Sequence, residues 1–256
     1  MGLLRTALLM GLLTGILLAV GYLIAGIFGM TLFLGLAFVI NFISFWFSDK
    51  IVLAIYRAKP LSKTDEPKLH EIVEKLSQKS KIPKPKVFIV NLPVMNAFAT
   101  GRSPKHSAVA VTSALLKNLN WDEIEGVVAH EIAHIKNRDT LTSVVAATIA
   151  GAIAYIAQIA WLSLFFGDRR SSGSAILLPL IILAPLAATL IQLAISRTRE
   201  FAADRTGAIL SGKPLSLASA LEKISAAARQ HPLHGNAATS HLFIVNPFKA
   251  DTFVNL

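Results

Sequence analysis

Long uncharged stretches alternate with charged, amphipathic segments along this chain. The first lies between Arg5 and Asp49, and its 43 residues would extend about 65 Å as a helix, roughly twice the hydrocarbon thickness of a bilayer. We therefore predict two membrane spans, near residues 6–26 and 30–48, with a tight turn around residues 26–29. A signal peptide is the alternative, but the apolar run is too long for one and a second span follows at once.

Two further uncharged stretches lie in the second half of the chain. Residues 140–167 form a third apolar stretch, which is long enough to span a bilayer, and residues 175–195 form a fourth. The first two are the predicted spans near residues 6–26 and 30–48. Pro179 and Pro185 lie inside the fourth stretch, which predicts a kink or a helix partly buried in protein. Buried core helices are the alternative, but the lengths and the lack of charge favour the membrane.

The segments between these stretches have the composition of a soluble domain. Residues 65–80 are predicted to form an amphipathic helix with four apolar residues at helical spacing: Leu69, Ile72, Val73 and Leu76. Residues 86–90 and 106–112 are β-branched or alternating and are predicted strands, whereas residues 96–101 are a strand or a turn. After Arg197 the chain is predicted to be soluble and mostly helical to about Arg229.

The composition agrees with a membrane protein. The chain is 54% hydrophobic, with a mean hydropathy of +0.58, which is too apolar for an ordinary soluble domain. Its 25 Lys and Arg against 15 Asp and Glu give a net charge of +10, for which nucleic acid is one interpretation. We prefer contact with the lipid bilayer and expect no nucleic acid partner. The absence of cysteine excludes disulfides, thiolate zinc sites and a cysteine nucleophile.

Basic residues close to the span ends predict the orientation of the chain in the membrane. Cytoplasmic loops carry the excess of Lys and Arg, and here both soluble segments are basic next to the membrane. The residues concerned are Lys50, Arg57, Lys59, Lys63, Lys136, Arg138, Arg197, Arg199 and Arg205, against only Arg169 and Arg170 in the loop between the third and fourth stretches. We expect both soluble segments and the N-terminus to face the cytoplasm.

The pattern His130-Glu131-x-x-His134 is the main candidate for chemistry. Histidines four residues apart share one face of a helix, so both imidazoles can point at one metal ion. Glu131 projects about 100° round from His130 and can reach a water on that metal. Two histidines, a third protein ligand and an open position are the hydrolytic zinc arrangement. A chance match is the alternative, since only three positions are specified.

A third ligand is predicted after the fourth apolar stretch. Two spans return the chain to the side that it left, so the segment that follows can meet the histidine helix. Glu200 and Asp204 lie four residues apart on one helical face there. We predict that Glu200 binds the metal and that Asp204 accepts a hydrogen bond from a ligand imidazole. The alternative is a solvated acidic pair balanced by neighbouring arginines.

Four motifs in this order resemble the HtpX family of membrane-bound zinc metalloproteases. They are Asn-Ala-Phe-Ala-Thr-Gly at 96–101, Ala-Val-Ala-Val-Thr at 108–112, residues 130–139, and Arg-Glu-Phe-Ala-Ala-Asp at 199–204. The resemblance implies a gluzincin-type endopeptidase of the cytoplasmic (inner) membrane, with roles in membrane-protein quality control and heat stress, related to CAAX prenyl proteases. It implies that His130, His134 and Glu200 bind Zn²⁺ and that Glu131 is catalytic.

The resemblance also implies a substrate site. Asn96 corresponds to the family position beside the bound substrate backbone, and the strand containing Ala108, Val109 and Ala110 corresponds to the edge that aligns a peptide by β-addition. Family members usually continue past residues 246–247 into a segment with a His-Pro motif and a basic residue. This sequence departs from that pattern, because it reaches Leu256 without the motif.

The predicted fold is a mainly α membrane protein with four transmembrane helices and a small α+β zincin-like catalytic domain. Residues 1–48 and 140–196 would form two transmembrane hairpins, and residues 49–139 and 197–256 the two parts of the catalytic domain. The expected activity is zinc-dependent hydrolysis of peptide bonds in protein substrates. The alternatives are an intramembrane metalloprotease, a zinc-stabilised scaffold without turnover and a small transporter.

Overall fold

The computed structural model describes residues 2–146, 148–150, 153 and 197–230. The chain divides into two compact units, one of Met1–Ser48 and Thr142–Ile195 and the other of Asp49–Leu141 and Ser196–Leu256. The predicted fourth span, most of the third and the chain after Gln230 lie outside the described residues. Assignment of the units to membrane and cytoplasm stays a prediction.

Helix α1 (Gly2–Trp46) of the first unit is broken into two halves at Ala25 and Gly26. Gly26 has a φ of 58°, in the left-handed region that favours glycine. The halves fold back on each other, because Asn41 Nδ2 donates hydrogen bonds to Thr14 Oγ1 at 3.0 Å and to the Met10 carbonyl at 3.3 Å. The segment is therefore a helical hairpin, with its turn next to the predicted position.

Length and composition make this hairpin suitable for a membrane. Thr6–Trp46 is 41 residues long with a mean hydropathy of 2.5 in its most apolar window, and most of that window is exposed. Each half has the roughly 20 residues that a span requires. A shorter apolar helix, Asp139–Ala150, opens the third uncharged stretch. The expectation of four transmembrane helices extends beyond the described residues and stays a prediction.

The second unit contains a four-stranded sheet in the order β1-β2-β4-β3. The strands are β1 (Lys59–Pro60), β2 (Lys86–Val90), β3 (Ala97–Ser103) and β4 (His106–Thr112). β2 and β4 are parallel, and the two outer pairings are antiparallel. The predicted strands at 86–90 and 106–112 are confirmed, and residues 97–103 prove to be a strand that forms a hairpin with β4.

Several helices accompany the sheet. In chain order they are α2 (Ser48–Ile55), α3 (Pro67–Ser80), α4 (Ser113–Asn118), α5 (Trp121–Asn137), α6 (Arg197–Ser211) and α7 (Pro214–Gln230). The amphipathic prediction for α3 is confirmed, because its four predicted core residues are buried. The predicted helical character between Arg197 and Arg229 is confirmed by α6 and α7.

Helix α5 is the centre of the second unit. It packs against α3, β3, α6 and α7, and the side chains of Ile124, Val127 and Ile132 are at most 1% exposed. Burying each such side chain contributes about 1.5–3 kcal/mol. Asn120 begins the helix with a capping box, since its side chain accepts from the Glu123 N–H and Glu123 accepts from the Asn120 N–H, both at 2.9 Å.

Candidate metal centre

The two histidines of the sequence motif and Glu200 meet in the second unit. His130 and His134 lie one turn apart on α5, with their Nε2 atoms 3.1 Å from each other. Glu200, in the first turn of α6, brings its Oε2 atom to 3.5 Å from each of these nitrogens. One donor atom from each residue thus lies within 4.8 Å of the other two, and the three could hold a metal ion.

The spacing of these atoms fits a zinc ion. A triangle with sides of 3.1, 3.5 and 3.5 Å contains a point about 2 Å from every corner, which is the length of a zinc bond to imidazole or carboxylate. The chemistry of the set agrees, because zinc accepts two imidazoles and one carboxylate and leaves a position open for water. The three residues therefore fit a hydrolytic zinc site.

The far side of each imidazole faces a carboxylate. His130 Nδ1 lies 2.8 Å from Asp204 Oδ1, although the ring N–H is not aimed directly at that oxygen. His134 Nδ1 lies 3.5 Å from Asp139 Oδ2. These neighbours favour a proton on Nδ1 of both rings, which leaves both Nε2 lone pairs directed at the same place. A cation between them would satisfy both lone pairs.

The electrostatics of the cluster favour positive charge. Burial alone would lower the pKa of His130, but the Asp204 and Glu200 carboxylates outweigh it and raise that pKa to about 10. Burial acts in the same way on His134, where Asp139 and Glu200 raise the pKa to about 9. Burial would raise the pKa of Glu200, but the two imidazoles hold that pKa far below its ordinary value. The same carboxylates would attract a divalent cation.

Glu131 is held between α5 and the sheet. Its side chain is buried, and the backbone N–H of Ala99 on β3 donates a hydrogen bond to its carboxylate. Burial, with a smaller contribution from Glu200, raises the pKa of Glu131 above its ordinary value, although the two imidazoles oppose the shift. A buried carboxylate next to a metal-binding pair has the environment of a general base.

A close helix contact sets the position of Glu200. Gly207 of α6 faces the backbone of α5, and a Cβ atom there would lie 2.9 Å from the His130 nitrogen and 3.0 Å from its Cα. Ala203, one helical turn before Gly207, is fully buried. These small residues let α6 approach α5 closely enough for Glu200 and Asp204 to reach the histidine rings.

Comparison with known proteins identifies the family. A sequence model of Peptidase family M48 matches residues 63–244. A protein named Protease HtpX homolog from Pyrococcus furiosus is 57% identical over 257 residues, covering 98% of this chain and 89% of the relative. Homologs of the same name from Thermococcus sibiricus and Trichormus variabilis are 52% and 49% identical, covering 99% and 98% of this chain and 89% and 90% of the relatives. This chain belongs to the HtpX family.

Membership makes the protein a metalloprotease, that is, a hydrolase of peptide bonds. The M48 match covers most of both parts of the second unit and includes every residue of the cluster described above. The HtpX resemblance stated from the motifs is confirmed, as is the expectation of a protease. The identity of the metal and the role of each residue stay predictions.

The sheet topology corrects one expectation about this HtpX-family chain. Ala108, Val109 and Ala110 lie in β4, which is paired with β2 on one side and β3 on the other. Their backbone groups are occupied by the sheet, so β4 cannot be the edge to which a peptide adds, and that expectation is wrong. The edge strand on this side of the described sheet is β3. Asn96 is buried just before β3, and its backbone N–H and carbonyl both bond to Thr112.

Three residues that contact the predicted metal ligands or Glu131 were not predicted from the sequence. Asp139 lies next to His134, Ala99 donates to Glu131, and Gly207 contacts the His130 backbone. The sequence position of Asp139 could have suggested a role, since it is an acidic residue just after the motif helix and at the start of an uncharged stretch. Ala99 acts through its backbone, and Gly207 through its lack of a side chain, so neither has a side-chain signal.

Proposed function

We propose that this HtpX-family protein is a membrane-integrated, zinc-dependent endopeptidase. It would hydrolyse peptide bonds of membrane or misfolded proteins at the cytoplasmic face, in membrane-protein quality control. The observation that carries this proposal is the convergence of His130 Nε2, His134 Nε2 and Glu200 Oε2 beside the buried Glu131. Protease activity follows from the family, and the proposal adds the metal, the residues and the location.

His130, His134 and Glu200 would hold the zinc ion. A bound zinc ion would supply the Lewis acidity that such a reaction needs, both toward the scissile carbonyl and toward the attacking water. Glu131 accepts the proton of the attacking water and passes it to the leaving amine, a role that commonly contributes about 100- to 10,000-fold in rate. Asp204 orients His130 through Nδ1, so that Nε2 stays directed at the metal.

The substrate backbone would pair with β3. Asn96 and Thr112 form a hydrogen-bonded pair, so by antiparallel alternation the backbone groups of Ala97, Ala99 and Gly101 point away from β4. Two contacts support this register, because the Ala99 N–H donates to Glu131 and the Gly101 carbonyl accepts from Thr140 Oγ1. Because those two groups are already bonded, a peptide extended along β3 would pair with the remaining outward groups, such as those of Ala97, with its backbone beside Glu131. Asn96, at the start of this strand, would contact the same backbone.

The membrane assignment rests on the first unit and on the charge pattern. The two apolar halves of α1 are each long enough for a span, and Lys and Arg collect after the second predicted span and around α5 and α6. We therefore propose four spans in the cytoplasmic (inner) membrane, with the catalytic unit facing the cytoplasm. An intramembrane active site is unfavourable, because α5 carries Asp122, Glu123 and Glu125 and each charge at mid-bilayer costs at least about 2–3 kcal/mol.

Metal content and cleavage together test the proposal. Purified wild-type protein should contain about one zinc per chain, and His134→Ala and Glu200→Ala should lose it. Glu131→Gln should keep the zinc and lose cleavage of casein by about 100-fold or more. Glu71→Gln, an exposed change on α3, is the control that should alter neither measurement. Full cleavage by Glu131→Gln would contradict the assigned role, and zinc retained by Glu200→Ala would contradict the ligand set.

A further inference from the structure

Each ligand ring of the proposed zinc site has a carboxylate partner of its own on the Nδ1 side. Asp204 faces His130 from α6, and Asp139 faces His134 from the chain just after α5. We propose that Asp139 is a positioning residue, whose carboxylate accepts the Nδ1–H of His134 and holds the Nε2 atom of that ring toward the metal. This inference rests on the proposed function, because it requires His134 to be a ligand.

The backbone turns Asp139 toward the ring. Helix α5 ends at Asn137, and Arg138 adopts the left-handed conformation with φ 60° and ψ 32°. The Arg138 N–H bonds back to the carbonyls of His134 and Ile135. This conformation is unusual for a residue other than glycine and costs about 1–2 kcal/mol. It lets the chain fold back, so that Asp139 Oδ2 comes within 3.5 Å of the His134 ring.

The next residue anchors this turn to the sheet. Thr140 is buried, and its Oγ1 donates a hydrogen bond of 3.1 Å to the carbonyl of Gly101 on β3. The beginning of the helix Asp139–Ala150 is therefore tied to the edge strand as well as to α5. Asp139 is held from both sides, which is what a group that orients another side chain requires.

Burial distinguishes Asp139 from the carboxylates of Glu200 and Asp204, which also face the two rings. The side chains of Asp139 and His134 are both 14% exposed, whereas those of Glu200 and Asp204 are 52% and 43% exposed. Water screens an interaction less where it is excluded, so the contact between Asp139 and His134 should act more strongly than its length alone suggests. Without the carboxylate, the ring could turn over or carry its proton on Nε2, and either change removes a lone pair from the metal.

A structural role for Asp139 is the competing explanation. It is the first residue of an apolar helix, where a carboxylate or hydroxyl also stabilises the free N–H groups of the first turn. Two substitutions separate the roles. Asp139→Asn keeps both the length and an acceptor oxygen. Asp139→Ser keeps a good helix-capping group, but its side chain is too short to bring the hydroxyl to His134.

Zinc affinity of the full chain in detergent tests the inference. In competition with a chromophoric chelator, the zinc affinity of Asp139→Asn should lie within about three-fold of the wild-type affinity. The zinc affinity of Asp139→Ser should be at least about ten-fold weaker, because a ligand histidine that loses its hydrogen-bond partner commonly binds metal that much less tightly. The Co²⁺-substituted Asp139→Ser protein should also show altered visible absorption bands, which a helix cap alone would not change. Thermal unfolding without metal should be similar for both variants. Asp122→Ser, which removes an exposed carboxylate of α5, should bind zinc as wild type does.

The outcomes separate this inference from the proposed function. If Asp139→Ser bound zinc as tightly as wild type while His134→Ala did not bind, only the positioning role would be overturned. Equal losses in Asp139→Asn and Asp139→Ser would also overturn it, since Asn preserves the acceptor. If wild-type protein bound no zinc, the ligand set and the inference would both be wrong.

Discussion

The Cα of Gly207 faces the backbone of His130 so closely that a methyl group on it would lie 2.9 Å from the His130 nitrogen. This contact joins the helix that carries both histidines to the helix that carries Glu200 and Asp204. The proposed metal site depends on the distance between those helices, because its three donor atoms come from both. A residue with no side chain therefore controls the site from the helix contact.

Gly207→Ala is expected to weaken zinc binding. The added methyl meets backbone atoms rather than a flexible side chain, so α6 must move and carry Glu200 with it. We expect at least about a ten-fold loss of zinc affinity, similar to the loss of a partner that orients a ligand. Chelator competition on the purified protein measures this effect.

Gly126→Ala is a matched control for that experiment. A methyl group at Gly126 of α5 would lie 2.9 Å from the Leu217 nitrogen and 3.0 Å from its Cα. The degree of crowding is the same, but the helix displaced is α7, which contributes no predicted ligand. Gly126→Ala should lower the melting temperature with little change in zinc affinity. Equal zinc affinities for both variants would show that α6 can adjust without moving Glu200.

If a peptide substrate pairs with β3, its cleavage should slow when the outward N–H of Ala97 is removed. Ala97→Pro removes that donor, and proline is tolerated where a strand N–H points away from its neighbour. We expect kcat/KM for a peptide to fall by about five-fold, the effect of one lost hydrogen bond, with zinc content unchanged. Steady-state kinetics on a fluorogenic peptide provide the measurement.

Phe98→Pro provides the comparison for Ala97→Pro. By the same alternation, the Phe98 N–H points toward β4, where its partner is Ala110. Removing it should break the sheet and reduce the yield of folded protein. If Ala97→Pro were as damaging to folding as Phe98→Pro, the register proposed for β3 would be wrong.

The second unit is expected to lose stability in acid as the carboxylate of Glu125 becomes protonated. Its buried carboxylate accepts from Lys75 Nζ and Lys213 Nζ, both at 2.8 Å, so it links α5 to α3 and to the loop before α7. Burial raises the pKa of Glu125, but the two lysines outweigh it and hold the pKa below its ordinary value of 4.5. A lowered folded-state pKa stabilises the protein above the unfolded-state value, and that contribution disappears as the pH falls through the folded-state value.

Glu125→Gln should therefore cost stability at neutral pH and little in strong acid. We expect a loss of about 1–2 kcal/mol near pH 7, limited because the lysines are partly exposed, and a difference that shrinks below about pH 4. Denaturant unfolding at several pH values measures both. Glu74→Gln is the control, because the Glu74–Lys84 pair is more exposed and its loss should shift the unfolding midpoint less. A constant difference between wild type and Glu125→Gln across this pH range would contradict the assignment.

Most elements of the second unit were predictable from local sequence. The apolar spacing of α3, the β-branched run of β2 and the Asn120 cap of α5 each act over a few residues, so they do not depend on the rest of the fold. The shared face of His130 and His134 was predictable for the same reason, because helical geometry alone fixes it. Glu200 needed one further argument, namely that two spans return the chain to the side that it left.

Three features of the site depend on contacts between distant segments: the identity of the edge strand, the residue that faces His134 and the close approach of α6 to α5. The alternating pattern of β4 is the same whether the strand lies at the edge or in the middle of a sheet. Asp139 reaches its ring only because Arg138 adopts a left-handed conformation, and Gly207 matters only because another helix faces it. The residue types of the ligands and their local spacing could be read directly from the chain, since covalent and helical geometry act within one segment. Distances between segments are set by packing, and packing depends on the whole fold.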